Sequence, residues 1–414
     1  MSMNEISESA ELEDVARDPR MQKHLQQIAK SLKLAEPKFR VVDATKKGAN
    51  YAGIVYRVIT EGMRNGKFER INSILKCAPQ EETRRELLNT NRIFLREIFF
   101  YEKVLPIFAD LLSEHHMQLG QFPTLHGVWA ENGNEVLILE DLSRKGYVMK
   151  SSKTLDYDHV SLAIQHLGRF HAYSFATRAK NPAAFEELKA MEEPIFFRQK
   201  RNSTSKSRGE LYCDLVEEAL KDEDKFYRDR FDAFRKIVYD ELVEAVMGAN
   251  AEPYAVVNHG DCWTNNILFK YDEKTKKPTS LYFIDFQMSR YASPAVDLSY
   301  MLFCCCTHEL REKYFDTLLH QYHDALSDCL AQLDCDVKTL FPYEVLMDHL
   351  HKFSTFGAGM AIFVLHIFTD EDMQVTEIKA IEKAEPLMER LRTDLNYKNR
   401  IKETFKELID RNYI

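Results

Sequence analysis

The chain has no stretch of about 18 apolar residues, the length a membrane-crossing helix requires, so no membrane span is expected. The nearest approach, Phe353 to Phe368, contains His366 and follows Asp348, His349, His351 and Lys352, and it reads as a buried helix. The first twenty residues are polar and acidic. They lack the basic start and apolar centre of a secretory signal, which points to a cytoplasmic protein. The 8 cysteines form no C-x-x-C pair and no spacing with histidine that suggests zinc. Cys304, Cys305 and Cys306 are consecutive, and they read as small buried residues in a reducing compartment. Without a secretion signal, Asn202-Ser203-Thr204 is a chance match to a glycosylation acceptor. An excess of basic residues is also missing: 56 Lys and Arg stand against 65 Asp and Glu, a net charge of −9. That balance argues against nucleic acid or an anionic membrane as partner. Neither G-x-G-x-x-G nor G-x-x-x-x-G-K-[ST] occurs, and there is no internal repeat.

The 414 residues, 45% of them hydrophobic, suffice for two or three units of about 150 residues each. Residues 1–40 read as an N-terminal extension with a short helical pattern from Met21 to Leu34. Strands follow at Tyr51–Thr60 and Ile71–Leu75, the second ending at Lys76, with a turn marked by Gly62, Asn65 and Gly66. Glu81 to Leu105 carries apolar residues at helical spacing, and Pro106 is expected to stop it. Thr124–Ala130 and Val136–Leu139 flank an Asn-Gly hairpin signal. Beyond Glu140-Asp141-Leu142 the chain reads as helical, at Val160–Ala179, Leu211–Asp222, Phe226–Met247, Ser299–Cys306, Lys313–Leu333, Tyr343–Phe368, Lys379–Leu391 and Lys398–Asp410. The exception is Val256–Phe286, where a turn-rich YDEKTKKPTS suggests a hairpin. The basic segment Arg198–Arg208 reads as a solvated loop. The expected organisation is an α+β chain: extension 1–40, a sheet-bearing unit 41–141 and a mainly helical unit 142–414.

Chemistry concentrates in HGDCWTNNILF at 259–269 and LYFIDFQ at 281–287. Asp261 precedes Asn266 by five positions, and Asp285 follows an apolar strand. Phosphoryl transfer from ATP needs such a set: a carboxylate to take the proton of a substrate hydroxyl, and an amide oxygen and a second carboxylate to hold Mg²⁺. Protein kinases use an Asp, an Asn five residues on, and the Asp of D-F-G, whereas here Gln287 replaces that glycine. Asp261 is therefore the candidate base, with Asn266 and Asp285 the candidate metal ligands. His259 reads as a structural residue that shapes the loop. Asn265 is a weaker candidate for metal or substrate contact. Asp297 is placed to accept backbone hydrogen bonds from the loop, or to open a helix. Lys76 at a strand end can reach phosphates as a point charge, and Glu97 on the following helix can pair with it. Gly48, Asn50 and Gly53 bracket a loop where backbone N–H groups can approach phosphate. Glu140, Asp141 and Leu142 lie where a hinge would bind adenine through its backbone.

Taken together, GANYAGIVYRV from 48, ILK to Lys76, REIFFYEKVLP from 96, LILEDL to 142, HGDCWTNNILF and IDFQMSRYASPAVDLSY to 300 resemble the ecdysteroid kinase-like family of insects. That family belongs to the choline kinase and aminoglycoside phosphotransferase group. The resemblance runs from about Asp43 to about Leu391. It implies a two-lobe protein-kinase-like fold, with a small antiparallel-sheet lobe and a larger helical lobe. It also implies ATP- and Mg²⁺-dependent phosphorylation of a small-molecule hydroxyl, ecdysteroids being the family's named substrates. Departures fall in the nucleotide loop, at Ala49 (often Glu) and Gly53 (often Ser). The alternatives are a non-catalytic nucleotide-binding scaffold and a choline or ethanolamine type of kinase. A protein kinase is disfavoured by the missing D-F-G and A-P-E. Phe353, Phe356, Met360 and Phe363 are candidate walls of an acceptor pocket or plain core. The acceptor and the oligomeric state are left open.

Overall fold

The computed structural model describes residues 12–43, 53–82, 85–86, 89–120, 122–191, 208–369 and 385–414. Gly48, Asn50, Ala49 and the loop 198–207 lie outside the described residues. The small lobe is a five-stranded antiparallel sheet in the order β1-β2-β3-β5-β4. Its strands are β1 (Ala35–Asp43), β2 (Ile54–Arg64), β3 (Lys67–Cys77), β4 (Leu125–Trp129) and β5 (Val136–Glu140). The β2–β3 turn is set by Asn65 and Gly66, both at positive φ (51° and 76°), the backbone a two-residue hairpin turn requires. Gly62, grouped with that turn by sequence, lies inside β2.

Side chains on a strand alternate between faces, and this alternation builds the two sides of the sheet. Leu75, Val136 and Ile138 point to one face, which is covered by helix α2 (Pro19–Ser31) following the short α1 (Glu13–Arg17). The covering residues Met21, Leu25, Ile28 and Leu32 recur at helical spacing. The described residues 12–40, expected to belong to an N-terminal extension, instead pack as part of the small lobe. Their amphipathic helix closes the outer face of the sheet, and β1 begins at Ala35. The alternate residues Ile74, Leu137 and Leu139 join the core of the large lobe, and Lys76 shares their face.

After β3 comes α3 (Thr90–Phe99), which passes through a π-turn at Phe100–Val104 into α4 (Leu105–Glu114). Pro106 therefore does not end the helix. It sits in the first turn of α4 directly after the π-turn, so the gap it leaves in the hydrogen-bond ladder falls where the helix is already irregular. The large lobe holds α5 (Tyr157–Lys180), α6 (Pro182–Leu188), α7 (Arg208–Leu220), α8 (Lys225–Ala245), α9 (Ala295–Tyr300), α10 (His308–Gln332), α11 (Val337–Leu340), α12 (Tyr343–Phe353), α13 (Thr355–Phe368), α14 (Glu385–Thr393) and α15 (Leu395–Asp410). A second π-turn, Met301–Cys305, follows α9. The single helix expected over Tyr343–Phe368 is two, α12 and α13, bent by 51° at Ser354. Among the described residues no single helix is long and apolar enough to cross a membrane.

Short strands carry the loops of the cleft. The expected hairpin is β8 (Ile267–Tyr271) with β9 (Pro278–Phe283), and β6 (Val148–Met149) pairs with β8. A second small ladder joins β7 (Val256–Asn258) to β10 (Arg290–Ala292). All three of Cys304, Cys305 and Cys306 are buried free thiols, as their apolar reading expects.

Ile28 is fully buried between α2 and the sheet. Ile28→Ala is expected to cost about 2 to 5 kcal/mol by removing packed methyl groups and leaving a void. Urea unfolding of the two proteins checks this, and a change below 1 kcal/mol would show that α2 is a dispensable appendage.

Candidate active site

The chain folds so that four separate segments reach one cleft between the lobes, with a cavity of about 390 Å³. β3 delivers Lys76, α3 delivers Glu97, the loop after β7 delivers Asp261 and Asn266, and the end of β9 delivers Asp285. Lys76 Nζ donates to Glu97 Oε2 at 2.6 Å and to Asp285 Oδ1 at 2.6 Å. Burial alone would lower the Lys76 ammonium, but Asp285 and Glu97 outweigh burial and hold it above its ordinary range. Glu97 is raised by burial, against the pull of Lys76. Its second oxygen accepts from the Phe286 N–H at 3.3 Å.

Asp285 itself sits at φ +67°, in the left-handed region that Asp tolerates better than most residues. The next residue, Phe286, stacks on Phe100 with centroids 3.9 Å apart and 6° between planes. It also contacts His259 at 4.6 Å. This stack joins the segment after Asp285 to the π-turn beyond Glu97.

The loop that carries Asp261 is held from beneath by Asp297, a fully buried residue of α9. Its carboxylate accepts from the His259 N–H (2.7 Å) and the Gly260 N–H (2.8 Å). His171 Nε2 lies 3.3 Å from the same carboxylate, and His171 Nδ1 lies 2.9 Å from the Tyr322 hydroxyl. Burial would raise Asp297, yet the bonds from His171 and the loop keep it below the usual carboxylate range. Gly260 has φ +81°, and a Cβ there would lie 2.0 Å from the Met288 carbonyl oxygen, so only glycine fits. His259 is kept neutral by burial. Its Nδ1 accepts from the Asp261 N–H at 3.2 Å, which leaves Nε2 to donate to the Ile284 carbonyl at 3.1 Å. It shapes the loop, as its sequence reading holds.

Asp261 borders the cavity. Its carboxylate accepts from Tyr300 Oη (3.0 Å) and from Asn266 Nδ2 (3.0 Å). Burial, then the charge of Asp285, push its carboxyl up to about 7, with Tyr300, Arg290 and Asn266 pulling the other way. Asn266 Nδ2 also donates to the Asp261 carbonyl at 2.9 Å, so its amide oxygen is the atom left to face a ligand. Asn265 lines the same cavity.

The hinge residues Glu140, Asp141 and Leu142 line the cleft too. The N–H groups of Glu140 and Asp141 are taken by the carbonyls of Thr124 (2.9 Å) and Asn72 (3.3 Å). Of the three, only Leu142, which opens a short 3₁₀ turn, has its amide outside these pairings. The Asp141 carboxylate is held by Arg57 Nε at 2.6 Å and by the Ser143 N–H at 3.1 Å. At Gly53 a Cβ would come within 3.1 Å of the Cys77 carbonyl oxygen, a crowding that favours glycine over the serine often found there.

The donor set suits a hard cation: one carboxylate oxygen and one amide oxygen, with room for phosphate and water to complete the shell. Among the described residues no group of three or more His, Cys, Asp or Glu could hold a metal by itself. Sequence reasoning missed Tyr300, Arg290, His171, Tyr322 and Arg57. Arg290 is buried, donates through Nε to the Met288 carbonyl at 3.1 Å and is brought down to about 10 by burial. Tyr300 and Arg290 lie in the IDFQMSRYASPAVDLSY segment already singled out. Arg57 lies in the quoted GANYAGIVYRV segment, whereas His171 and Tyr322 lie on helices with no motif to mark them.

A small sheet lobe with a Lys–Glu pair, set over a helical lobe with a braced Asp–Asn loop, defines a protein-kinase-like fold. The chain belongs to the ecdysteroid kinase-like family, whose profile matches residues 47–335, a shorter span than the sequence resemblance suggested. The family is one of small-molecule kinase-like proteins. Over 74 residues the chain is 35% identical to the 4-hydroxytryptamine kinase of Psilocybe cyanescens. The match covers 18% of this chain and 19% of that kinase, so the chain spans about a fifth of that relative's length. Among solved structures, the GDP complex of wild-type aminoglycoside 2′-phosphotransferase-IIIa is similar at 14% identity and a TM-score of 0.39, over 94% of this chain and 99% of that one. The GDP complex of a point mutant of the same enzyme gives 13% identity, a TM-score of 0.38 and coverage of 95% and 98%.

Asp297→Ala is expected to destabilise the protein by about 3 kcal/mol or more, because two loop N–H groups lose their acceptor inside the core. Urea unfolding measures this, and near-wild-type stability would mean that the loop is braced elsewhere.

Proposed function

We propose that the protein transfers the γ-phosphoryl group of Mg²⁺-ATP to a hydroxyl of a small, ring-bearing alcohol, an ecdysteroid or other steroid-like compound. The observation that carries this reading is the convergence of Asp261, Asn266, Asp285 and Lys76 on one cavity. Bound Mg²⁺-ATP would supply the phosphoryl group and the cation that neutralises charge on it. Asn266 and Asp285 would hold the cation through an amide oxygen and a carboxylate. Lys76, backed by Glu97, would hold phosphate oxygens. The hinge at Glu140–Leu142 would border the base. Asp261 would orient the acceptor hydroxyl and take its proton as the oxygen bonds to phosphorus and the bond to the leaving nucleotide breaks. Little covalent chemistry is asked of the protein, and positioning and charge do most of the work.

Two other readings fit less well. A nucleotide-binding scaffold has no use for a carboxylate whose proton affinity is tuned toward neutrality beside a metal-ligand pair. A choline-type acceptor needs several aromatic faces around its cation, whereas Tyr147 and Trp263 are the aromatic residues lining this cavity among the described residues. The direct test is ATP turnover against ecdysteroids, other sterols, 4-hydroxytryptamine and amino alcohols, with products read by mass for one added phosphate. Asp261→Asn is expected to lower turnover about 10²- to 10⁴-fold. Acceptor-independent nucleotide binding with no phosphorylated product would overturn the reading.

A pH profile gives a second test. Protonated Asp261 cannot accept a proton, so kcat/KM should rise with pH through about 7 and level off above it. Tyr300 donates to the charged form of Asp261 and lowers its proton affinity. In Tyr300→Phe the rising limb should therefore move to higher pH. A limb that stays in place would exclude Asp261 as the titrating base.

A further inference from the structure

We infer that Trp263 is the platform on which the acceptor's ring system lies, and so a specificity-determining residue for flat, ring-bearing alcohols over acyclic ones. This rests on the transfer reading above and narrows its substrate class. Trp263 lies two residues beyond the candidate base, and its half-buried indole lines the cavity beside Asp261 and Asn265. Its backbone is locked into the same turn as both catalytic side chains. The Trp263 N–H donates to the Asp261 carbonyl at 2.9 Å, and the Trp263 carbonyl accepts from the Asn266 N–H at 2.9 Å.

The indole has a fixed orientation as well. It stacks on Phe368 with centroids 5.0 Å apart and planes 3° from parallel. Phe368 is buried at the C-terminal end of α13. A ring held from behind in this way loses little rotational freedom when a second flat surface meets it, which is what makes an aromatic side chain an effective platform. The neighbouring wall is apolar: Val148 and Met149 line the same cavity and are about half exposed, at 49% and 48%. Asn265 adds one polar side chain that makes no hydrogen bond within the described protein, so it is available to a second polar group on the ligand. A flat face held from behind, an apolar rim and a spare amide beside it match a fused-ring alcohol. They do not match a small quaternary amine, which is enclosed from several sides.

The chain has two tryptophans, Trp129 and Trp263, and Trp129 lies on β4 against His24, apart from the cavity lining. In a Trp129→Phe protein with ADP and Mg²⁺ present, titration with ecdysone or 4-hydroxytryptamine should therefore quench or shift the Trp263 emission, while choline and ethanolamine leave it unchanged. In steady-state kinetics Trp263→Ala should raise KM for the ring-bearing acceptor by about tenfold or more, the loss of roughly 1.4 kcal/mol of stacking. KM for ATP should stay within about twofold, and Trp263→Phe should recover most of the acceptor affinity. The platform is overturned by an unchanged acceptor KM in Trp263→Ala, by an equal rise in the KM for ATP, by failure of both ring-bearing probes to perturb Trp263, or by acyclic alcohols serving equally well. Asp261→Asn separates the two levels. If that variant keeps turnover, the transfer reading itself fails. If it is inactive while Trp263→Ala binds acceptor normally, only the platform fails.

Discussion

One ammonium group links both lobes across the cleft. Lys76 comes from β3, and its two carboxylate partners come from α3 and from the end of β9. Taking three charges out of water is costly, and their attraction offsets that cost only when the geometry is close and the remaining lone pairs are satisfied. Here the spare oxygen of Glu97 receives the Phe286 N–H, so the helix of the small lobe and the segment after β9 are tied at two points. The Phe286–Phe100 stack covers the same junction with apolar surface. A shift of the small lobe relative to the segment after β9 would break the Lys76–Asp285 ion pair, the hydrogen bond from the Phe286 N–H and the stack together.

Below that junction, two aspartates in the same part of the fold are driven in opposite directions. Asp297 is wholly buried, but two backbone donors and a histidine favour its charged form, so it stays an anion and holds the loop. Asp261 has weaker support and a second carboxylate nearby, and its proton affinity rises toward neutrality. Divergent environments of this kind suit different roles: the first aspartate is a fixed brace, and the second is the one that the proposed transfer asks to take a proton.

The core of this site was legible in the sequence because its residues act through short, fixed spacings. Asp261 and Asn266 share one turn, Asp285 ends a strand whose apolar run is visible, and Lys76 closes another. The small lobe was legible through alternation and the Asn-Gly turn. What was hidden depends on long-range packing. The part His171 plays exists only once α5 lies against α9 and α10, and that of Arg57 only once β2 places it beside Asp141. The role of α2 was missed for the same reason, since an amphipathic helix does not announce which surface it covers. Ser354 gave no warning of a break, because neither proline nor glycine occupies that position. Pro106 gave a false warning, because the gap it leaves in the ladder falls at the π-turn and the helix continues past it.

The π-turns at Phe100–Val104 and Met301–Cys305 have a bearing on how the site is phased. A π-turn accommodates one residue more than an α-turn, and one residue is worth about 100° of rotation about a helix axis. The first π-turn lies between Glu97 and the part of α4 that anchors in the large lobe. The second lies immediately after Tyr300. Each extra residue therefore acts as an angular offset, turning a cleft-facing side chain independently of the core-facing stripe on the same helical rod. Regularising either segment to continuous α-helix would preserve helical content and hydrophobic composition. It would also rotate Glu97 or Tyr300 out of register with its partner. Two small irregularities in the backbone thus let helices that pack for stability also aim side chains for chemistry.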